Sequence, residues 1–125
     1  VEPHLGFPTP CVLLDYPAGQ AALARLKTDD PSVAERFELY WAGLELANGF
    51  SELTDPTEQH VRFLAALEMR RELGYSPYPL PKSFLDSLEH LPPCAGIALG
   101  VDRLLMLLGN ARHIDDIVAF PPGFE

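Results

Sequence analysis

Residues 37–46 read Phe-Glu-Leu-Tyr-Trp-Ala-Gly-Leu-Glu-Leu, and apolar residues alternate with the others on both sides of Ala42-Gly43. Such alternation is typical of half-buried β-strands, and a two-residue break that contains glycine is typical of a hairpin turn. Position 41 should then pair with 44, 40 with 45 and 38 with 47. Because a hairpin joins antiparallel strands, we predict an α+β fold, an antiparallel β-sheet flanked by helices.

This register divides the hairpin into two faces. The face predicted to be apolar and to lie on the core consists of Phe37, Leu39, Trp41, Leu44 and Leu46. The opposite face carries Glu38, Tyr40, Glu45 and Ala47. Glu38 and Glu45 would then be diagonal neighbours roughly 7–8 Å apart. Two such carboxylates repel unless a cation lies between them, and Mg²⁺ prefers oxygen ligands, so the pair is a candidate magnesium site. Taken alone, the pair is more often a solvated sheet face.

Turn and capping residues outside the hairpin predict the remaining elements. Gly74 is well placed to end the longest helix, which a capping box at Asp55-Pro56-Thr57-Glu58 would open. Asp30-Pro31 resembles a helix start, with the helix running to Glu35. The predicted set comprises a strand at 11–15, short helical segments at 21–26 and 31–35, helices at 55–73, 83–91 and 102–108, a strand at 96–101 and a last short element at 114–120.

Residues 95–108 read Ala-Gly-Ile-Ala-Leu-Gly-Val-Asp-Arg-Leu-Leu-Met-Leu-Leu, a short apolar strand followed by an apolar helix. Gly96 and Gly100 remove side chains where another group can approach the backbone. Arg103 is a permanent, planar cation at the junction, and a nucleotide would supply both an anionic and a planar partner. Tight packing and a solvent-facing arginine explain the same pattern equally well.

Three polar or aromatic residues follow the hairpin closely. Asn48 and Glu52 could together hold an amine, with Phe50 packing against its aliphatic part. The plainer alternative is an Asn-Gly turn with Phe50 in the core.

Composition and charge limit the number of domains and the kinds of partner and compartment that we expect. A chain of 125 residues that is 47% hydrophobic suits one compact domain, and a net charge of −9 argues against a nucleic-acid groove within it. Cys11 and Cys94 have no metal-ligand spacing, which favours a reduced, intracellular setting. The sequence shows no leader and no uncharged run of membrane-spanning length. We therefore expect a soluble, cytoplasmic protein.

Two segments together resemble the C-terminal half of a class II lysyl-tRNA synthetase catalytic domain. Residues 35–55, from Glu-Arg-Phe-Glu-Leu to Phe-Ser-Glu-Leu-Thr-Asp, resemble the lysine-type amino-acid and magnesium segment. Residues 96–103, Gly-Ile-Ala-Leu-Gly-Val-Asp-Arg, resemble class II motif 3. The similarity extends from about Asp15 to Phe120.

The resemblance implies an ATP-dependent reaction that activates an amino acid as its adenylate, with ATP and magnesium as cofactors. The residues that it implies for catalysis are Glu38, Glu45 and Arg103. Those implied for ATP are Glu45, Leu46, Gly100 and Arg103, and those implied for magnesium are Glu38 and Glu45. Those implied for the amine-bearing substrate are Asn48, Phe50, Glu52, Gly96 and Ala98.

Two departures favour a particular branch of this group. Ala98 stands where lysyl-tRNA synthetases have glycine, and residues 17–24 lack the synthetases' Glu-x-Ser-Pro-Leu pattern. Both features are similar to the shorter paralogous family that ligates (R)-β-lysine to a lysine of translation elongation factor P. The alternatives are a fragment of a lysyl-tRNA synthetase, whose partner is tRNA, and a synthetase-like module that binds a ligand without catalysis.

Class II motifs 1 and 2 have no counterpart in residues 1–125. Motif 1 forms the dimer interface of these enzymes and motif 2 carries an ATP-binding arginine, so the resemblance implies a C-terminal portion of a homodimeric parent. We expect the 125 residues alone to be inactive.

Overall fold

The structure is a computed structural model that describes residues 2–122. In this range the chain forms a four-stranded antiparallel sheet of order β1-β2-β3-β4. The strands are β1 (Cys11–Pro17), β2 (Val33–Trp41), β3 (Leu44–Ser51) and β4 (Ala95–Leu99). The α-helices are α1 (Pro56–Glu72), α2 (Lys82–Leu88) and α3 (Val101–Leu108), and single 3₁₀ turns lie at Glu2–His4, Ala18–Gln20 and Ile114–Asp116. The predicted α+β class is confirmed.

The β2–β3 hairpin closes through Ala42-Gly43, as predicted. Both residues have positive φ, 50° and 79°, as a tight turn between twisted strands requires. Trp41 pairs with Leu44, and Tyr40 pairs with Glu45. The local alternation was therefore sufficient to place the turn.

A β-bulge changes the register beyond these two pairs. Leu39 pairs with Ala47 and Glu38 pairs with Asn48, so the predicted pairing of 38 with 47 is wrong by one residue. Leu46 is the additional residue, and its carbonyl accepts the N–H of Gly100 at 2.8 Å. Ala47 therefore lies opposite Leu39 on the other face, and Asn48 takes its place beside Glu38.

The prediction that the apolar hairpin face lies on the core is also wrong, except at Leu46, which is buried. Along β2 the buried residues are Ala34, Glu38 and Tyr40, whereas Phe37, Leu39 and Trp41 are only half-buried. The face that carries Glu38 packs toward residues 16–26, where Ala21, Ala24 and Ala34 form a small cluster with Leu26 and Phe50 against it. Charged and aromatic groups on this face are buried because they pair with one another.

The helix predicted at 31–35 is wrong, because residues 33–35 belong to β2. The Asp30 carboxylate accepts hydrogen bonds from the Ser32 N–H at 3.1 Å and from its hydroxyl at 2.6 Å, which folds the segment into a turn. The helical segment predicted at 21–26 is replaced by turns and isolated bridges, among them Ala24 to Glu52.

The other helix predictions are confirmed with shifted ends. Asp55 caps α1 by accepting from the N–H groups of Thr57 and Glu58 at 2.8 and 3.2 Å. Gly74 adopts a φ of 77° just after α1 ends. The helix predicted at 83–91 covers 82–88, and the element predicted at 114–120 is a single 3₁₀ turn. Within residues 2–122, no helix is both long and apolar enough to cross a membrane.

Candidate active site

A pocket lies where β3 pairs with β4. Asn48 lies opposite Ala98 and Phe50 lies opposite Gly96, so alternate residues of both strands share one face. The pocket has a volume of about 300 Å³ and is lined by Asn48, Phe50, Glu52, Gly96, Ile97 and Ala98. All five residues predicted for the substrate thus line one pocket, with Ile97 as a sixth.

The carboxylate of Glu52 lies over Gly96. A Cβ atom at Gly96 would be 3.0 Å from Glu52 Oε1, so the missing side chain leaves room for this carboxylate. The backbone of Glu52 is fixed by its N–H, which donates to the Cys94 carbonyl at 2.9 Å, and by the bridge to Ala24. A carboxylate held in this way can accept hydrogen bonds from an ammonium group in the pocket.

Glu38, which pairs with Asn48, belongs to a buried polar network. Its Oε1 accepts from Arg36 Nη2 at 2.5 Å and its Oε2 accepts from the Tyr40 hydroxyl at 2.6 Å. Burial acts to raise the pKa of Glu38, but hydrogen bonds from Tyr16 and Tyr40 and the charge of Arg36 outweigh it, so the pKa is below its usual value. Glu38 is therefore ionised at neutral pH.

The pKa values of the two tyrosines in this network, Tyr16 and Tyr40, are raised, whereas the pKa of Glu38 is lowered. Burial, followed by the hydrogen bond to the Glu38 carboxylate, raises the pKa of Tyr16 to about 12. The same two causes raise the pKa of Tyr40. Both phenols are therefore neutral at pH 7, and the hydroxyl of Tyr40 donates to Glu38.

Sequence reasoning missed Arg36 as a site residue. Its side chain lies on the same face as Glu38, donates to Asn48 and covers the ring of Tyr16. The signal was the alternation itself, since positions 36, 38 and 40 must share one face of a strand.

A second cluster joins the β2–β3 hairpin to the start of α3. Arg103 Nη1 donates to the Glu45 carbonyl at 2.8 Å and lies 3.8 Å from Glu45 Oε2. Gly100 donates its N–H to the Leu46 carbonyl. The structure thus brings together the four residues predicted for ATP, Glu45, Leu46, Gly100 and Arg103.

The two carboxylates predicted for magnesium differ in their surroundings. Both oxygens of Glu38 already accept hydrogen bonds, so a metal ion there would have to displace Arg36 or Tyr40. The side chain of Glu45 is 38% exposed, against 10% for that of Glu38, and can accept a new ligand. Within residues 2–122, no group of three or more His, Cys, Asp or Glu side chains is arranged to hold a metal ion.

Comparison of the sequence with known proteins identifies the family of the chain. Residues 6–123 match the family described as tRNA synthetases class II (D, K and N). The chain belongs to the class II tRNA synthetase family. The resemblance predicted from residues 35–55 and 96–103 is therefore confirmed.

Curated relatives match nearly the whole chain. The elongation factor P–(R)-beta-lysine ligase of Yersinia enterocolitica serotype O:8 / biotype 1B is 49% identical over 124 residues, 98% of this chain. The proteins of the same name from Vibrio cholerae serotype O1 and Mannheimia succiniciproducens are each 50% identical, over 97% and 96% of it. The chain spans 38% of the length of each of these relatives.

Proposed function

We propose that this class II synthetase chain is the C-terminal part of a ligase that activates (R)-β-lysine or lysine with ATP. The acyl group would then pass to a lysine of translation elongation factor P. The observation that carries the proposal is the pocket in which Asn48, Phe50, Glu52, Gly96 and Ala98 meet. The names of the curated relatives support the choice of substrate and acceptor.

The reaction that we propose has two steps. A carboxylate oxygen of the amino acid attacks the α-phosphorus of ATP, the bond to the β-phosphate oxygen breaks, and pyrophosphate leaves. The amine of the acceptor lysine then attacks the acyl carbon of the adenylate, loses a proton, and AMP leaves. The protein contributes by positioning the reactants and by stabilising charge.

Each site residue has a role that its position supports. Glu52 accepts from the ammonium group, with Phe50 against the aliphatic stem. Arg103, whose side chain is half exposed, lies against the phosphates beside Glu45 and Leu46. Mg²⁺ on Glu45 would neutralise phosphate charge, whereas Glu38, predicted as the second ligand, would first have to release Arg36 or Tyr40.

The spacing of the two clusters supports an extended ligand. Gly96 and Gly100 mark the pocket and the hairpin–α3 cluster, and four residues of strand correspond to about 13 Å. An amino acid joined to a nucleotide spans such a distance, whereas a small amine alone does not.

The test uses the full-length protein encoded by the gene that contains these residues. We expect Mg²⁺-dependent exchange of pyrophosphate into ATP with (R)-β-lysine, and transfer of labelled amino acid to elongation factor P. Glu52→Gln should abolish the exchange, and Glu72→Gln, at an exposed position on α1, should not. Full exchange by Glu52→Gln would contradict the proposed site.

A lysyl-tRNA synthetase is the second candidate, because the matched family is one of tRNA synthetases. Transfer of the label to tRNA instead of elongation factor P would decide for it. A protein that binds lysine without exchange would instead be a non-catalytic module.

We further propose that the parent is a cytoplasmic homodimer and that residues 1–125 alone are inactive. Light scattering on the full-length protein and fractionation of cells test the first statement. Pyrophosphate exchange by the 125-residue chain would contradict the second. Upstream coding sequence with a strand–loop–strand segment around a central arginine, and without a separate OB domain, would support the ligase over the lysyl-tRNA synthetase.

A further inference from the structure

Arg36 is held by four groups although it does not line the pocket. Its Nη2 donates to Glu38, its Nη1 donates to the Gln20 carbonyl at 2.8 Å, and its guanidinium carbon lies 4.5 Å from the centre of the Tyr16 ring. Its Nε donates to Asn48 Oδ1 at 3.3 Å. Asn48 is the point at which this buried network meets the pocket.

The chemistry of arginine determines which end of the Asn48 amide faces it. A guanidinium can only donate, and an amide NH₂ group cannot accept, so Oδ1 is the atom that Nε–H must meet. The NH₂ group of Asn48 is then the end directed away from Arg36. Because Asn48 lines the pocket, this NH₂ group is the end available to a ligand.

We propose that Arg36 is a positioning residue that fixes the amide of Asn48 with its donor end toward the pocket. Asn48 then donates to an anionic group of the ligand, and Glu52 accepts from the ammonium group at the other end. The pocket would thereby distinguish the two ends of an amino acid. This inference rests on the proposed function, since (R)-β-lysine is the ligand with both groups.

The surroundings of Arg36 suit this role. Its side chain is 18% exposed, and the ion pair, the carbonyl and the aromatic ring hold it in one geometry. A side chain locked by its neighbours can hold another residue to within the tolerance that ligand recognition needs. A lysine at this position would keep the charge but lose the planar, multidirectional donors.

The test measures binding by calorimetry to the full-length protein, with (R)-β-lysine and its carboxamide as probes. The carboxamide keeps the amines and lacks the carboxylate. We expect Arg36→Gln to weaken binding of (R)-β-lysine about tenfold, and binding of the carboxamide far less. In an Asn48→Ala background, Arg36→Gln should cause no further loss, because the two residues act in series.

Arg25→Gln is the matched control, because Arg25 forms an ion pair with Glu35 at 2.6 Å and does not contact Asn48. It should leave both affinities unchanged. If Arg36→Gln fails to fold, Arg36→Lys should show the same selective loss. Equal weakening of both probes, no weakening, or a further loss in the Asn48→Ala background would overturn the inference. If the wild-type protein binds neither probe, the proposed function fails as well.

Discussion

Glu38 is the residue on which the buried network depends. It accepts from Arg36 and Tyr40 while almost fully buried. Glu38→Gln should lower the free energy of unfolding at pH 7 by about 1–3 kcal/mol, because a charge-assisted acceptor is lost and the Arg36 cation is left poorly compensated. Denaturant unfolding measures this, with Glu72→Gln on exposed α1 as the control. A change equal to the control would mean that the network does not stabilise the fold.

The lowered pKa of Glu38 also predicts how the free energy of unfolding depends on pH. Its pKa is lower in the folded chain than the ordinary value of 4.5, so the unfolded chain binds the proton more tightly. The stabilisation is therefore fully present above pH 4.5 and is lost as the pH falls through the lowered pKa. The difference in stability between wild type and Glu38→Gln should narrow on acidification below pH 4.5. A constant difference down to pH 2 would contradict this assignment.

The raised pKa of Tyr16 predicts how the stability of the fold changes at alkaline pH. The pKa of Tyr16 rises from 10.0 to about 12 on folding, so the folded state favours the neutral phenol. This stabilisation is present below pH 10 and is lost as the pH rises toward 12. Tyr16→Phe should remove that part of the alkaline dependence, measured as the unfolding midpoint between pH 9 and pH 11.5. Tyr78→Phe, at an exposed tyrosine, is the control.

Gly96→Ala tests the pocket, because it adds a single methyl group beside Glu52. A Cβ there would lie 3.0 Å from Glu52 Oε1, so the carboxylate must move by a few tenths of an ångström. Gly96→Ala should weaken binding of (R)-β-lysine about three- to tenfold and change stability little, because the end of a side chain can shift. Gly19→Ala, where nothing lies within 4 Å, should have no effect on binding. Unchanged affinity in Gly96→Ala would argue against Glu52 as the ammonium partner.

The β2–β3 turn has a tightly constrained backbone. Gly43 has a φ of 79°, and a Cβ there would lie 2.8 Å from the Pro3 carbonyl oxygen. Gly43→Ala should destabilise the chain by about 1–2 kcal/mol or more, whereas Ala42→Asn should stabilise it by a few tenths to about 1 kcal/mol, because asparagine tolerates positive φ. Urea unfolding of both variants tests this. Equal effects of Gly43→Ala and Gly19→Ala would contradict it.

Turns and helix ends could be predicted from the sequence where the residues that determine them are neighbours in the chain. The turn at Ala42-Gly43 and the Asp55 cap follow from residues next to one another. The bulge at Leu46 does not, because it depends on a hydrogen bond from Gly100, 54 positions away by residue number. The face assignment failed for a related reason: Glu38 can be buried only because Arg36, Tyr40 and the distant Tyr16 surround it.

At the scale of the whole molecule, the family resemblance selected more of the candidate site residues than the periodicity of the sequence did. It selected Glu52 and Gly96 together, although they lie 44 positions apart and meet only through β3–β4 pairing. It gave no reason to select Arg36, whose proposed role rests on contacts that residues of β1, β2 and β3 make with one guanidinium.

Arg103 joins α3 to the hairpin, and its effect on activity should be separable from its effect on stability. Its ion pair with Glu45 is 3.8 Å long between side chains 50% and 38% exposed, and exposed pairs contribute about 0–1 kcal/mol. Arg103→Gln should therefore change the free energy of unfolding by no more than about 1 kcal/mol. It should reduce pyrophosphate exchange by the full-length protein at least about a hundredfold, because the cation that we propose meets the phosphates is lost. Arg71→Gln removes another exposed ion pair, to Glu68 on α1, and should leave exchange intact. If Arg103→Gln instead lowered stability and activity in proportion, the role of Arg103 would be to hold α3 against the sheet. The proposed nucleotide site would then not lie at Arg103.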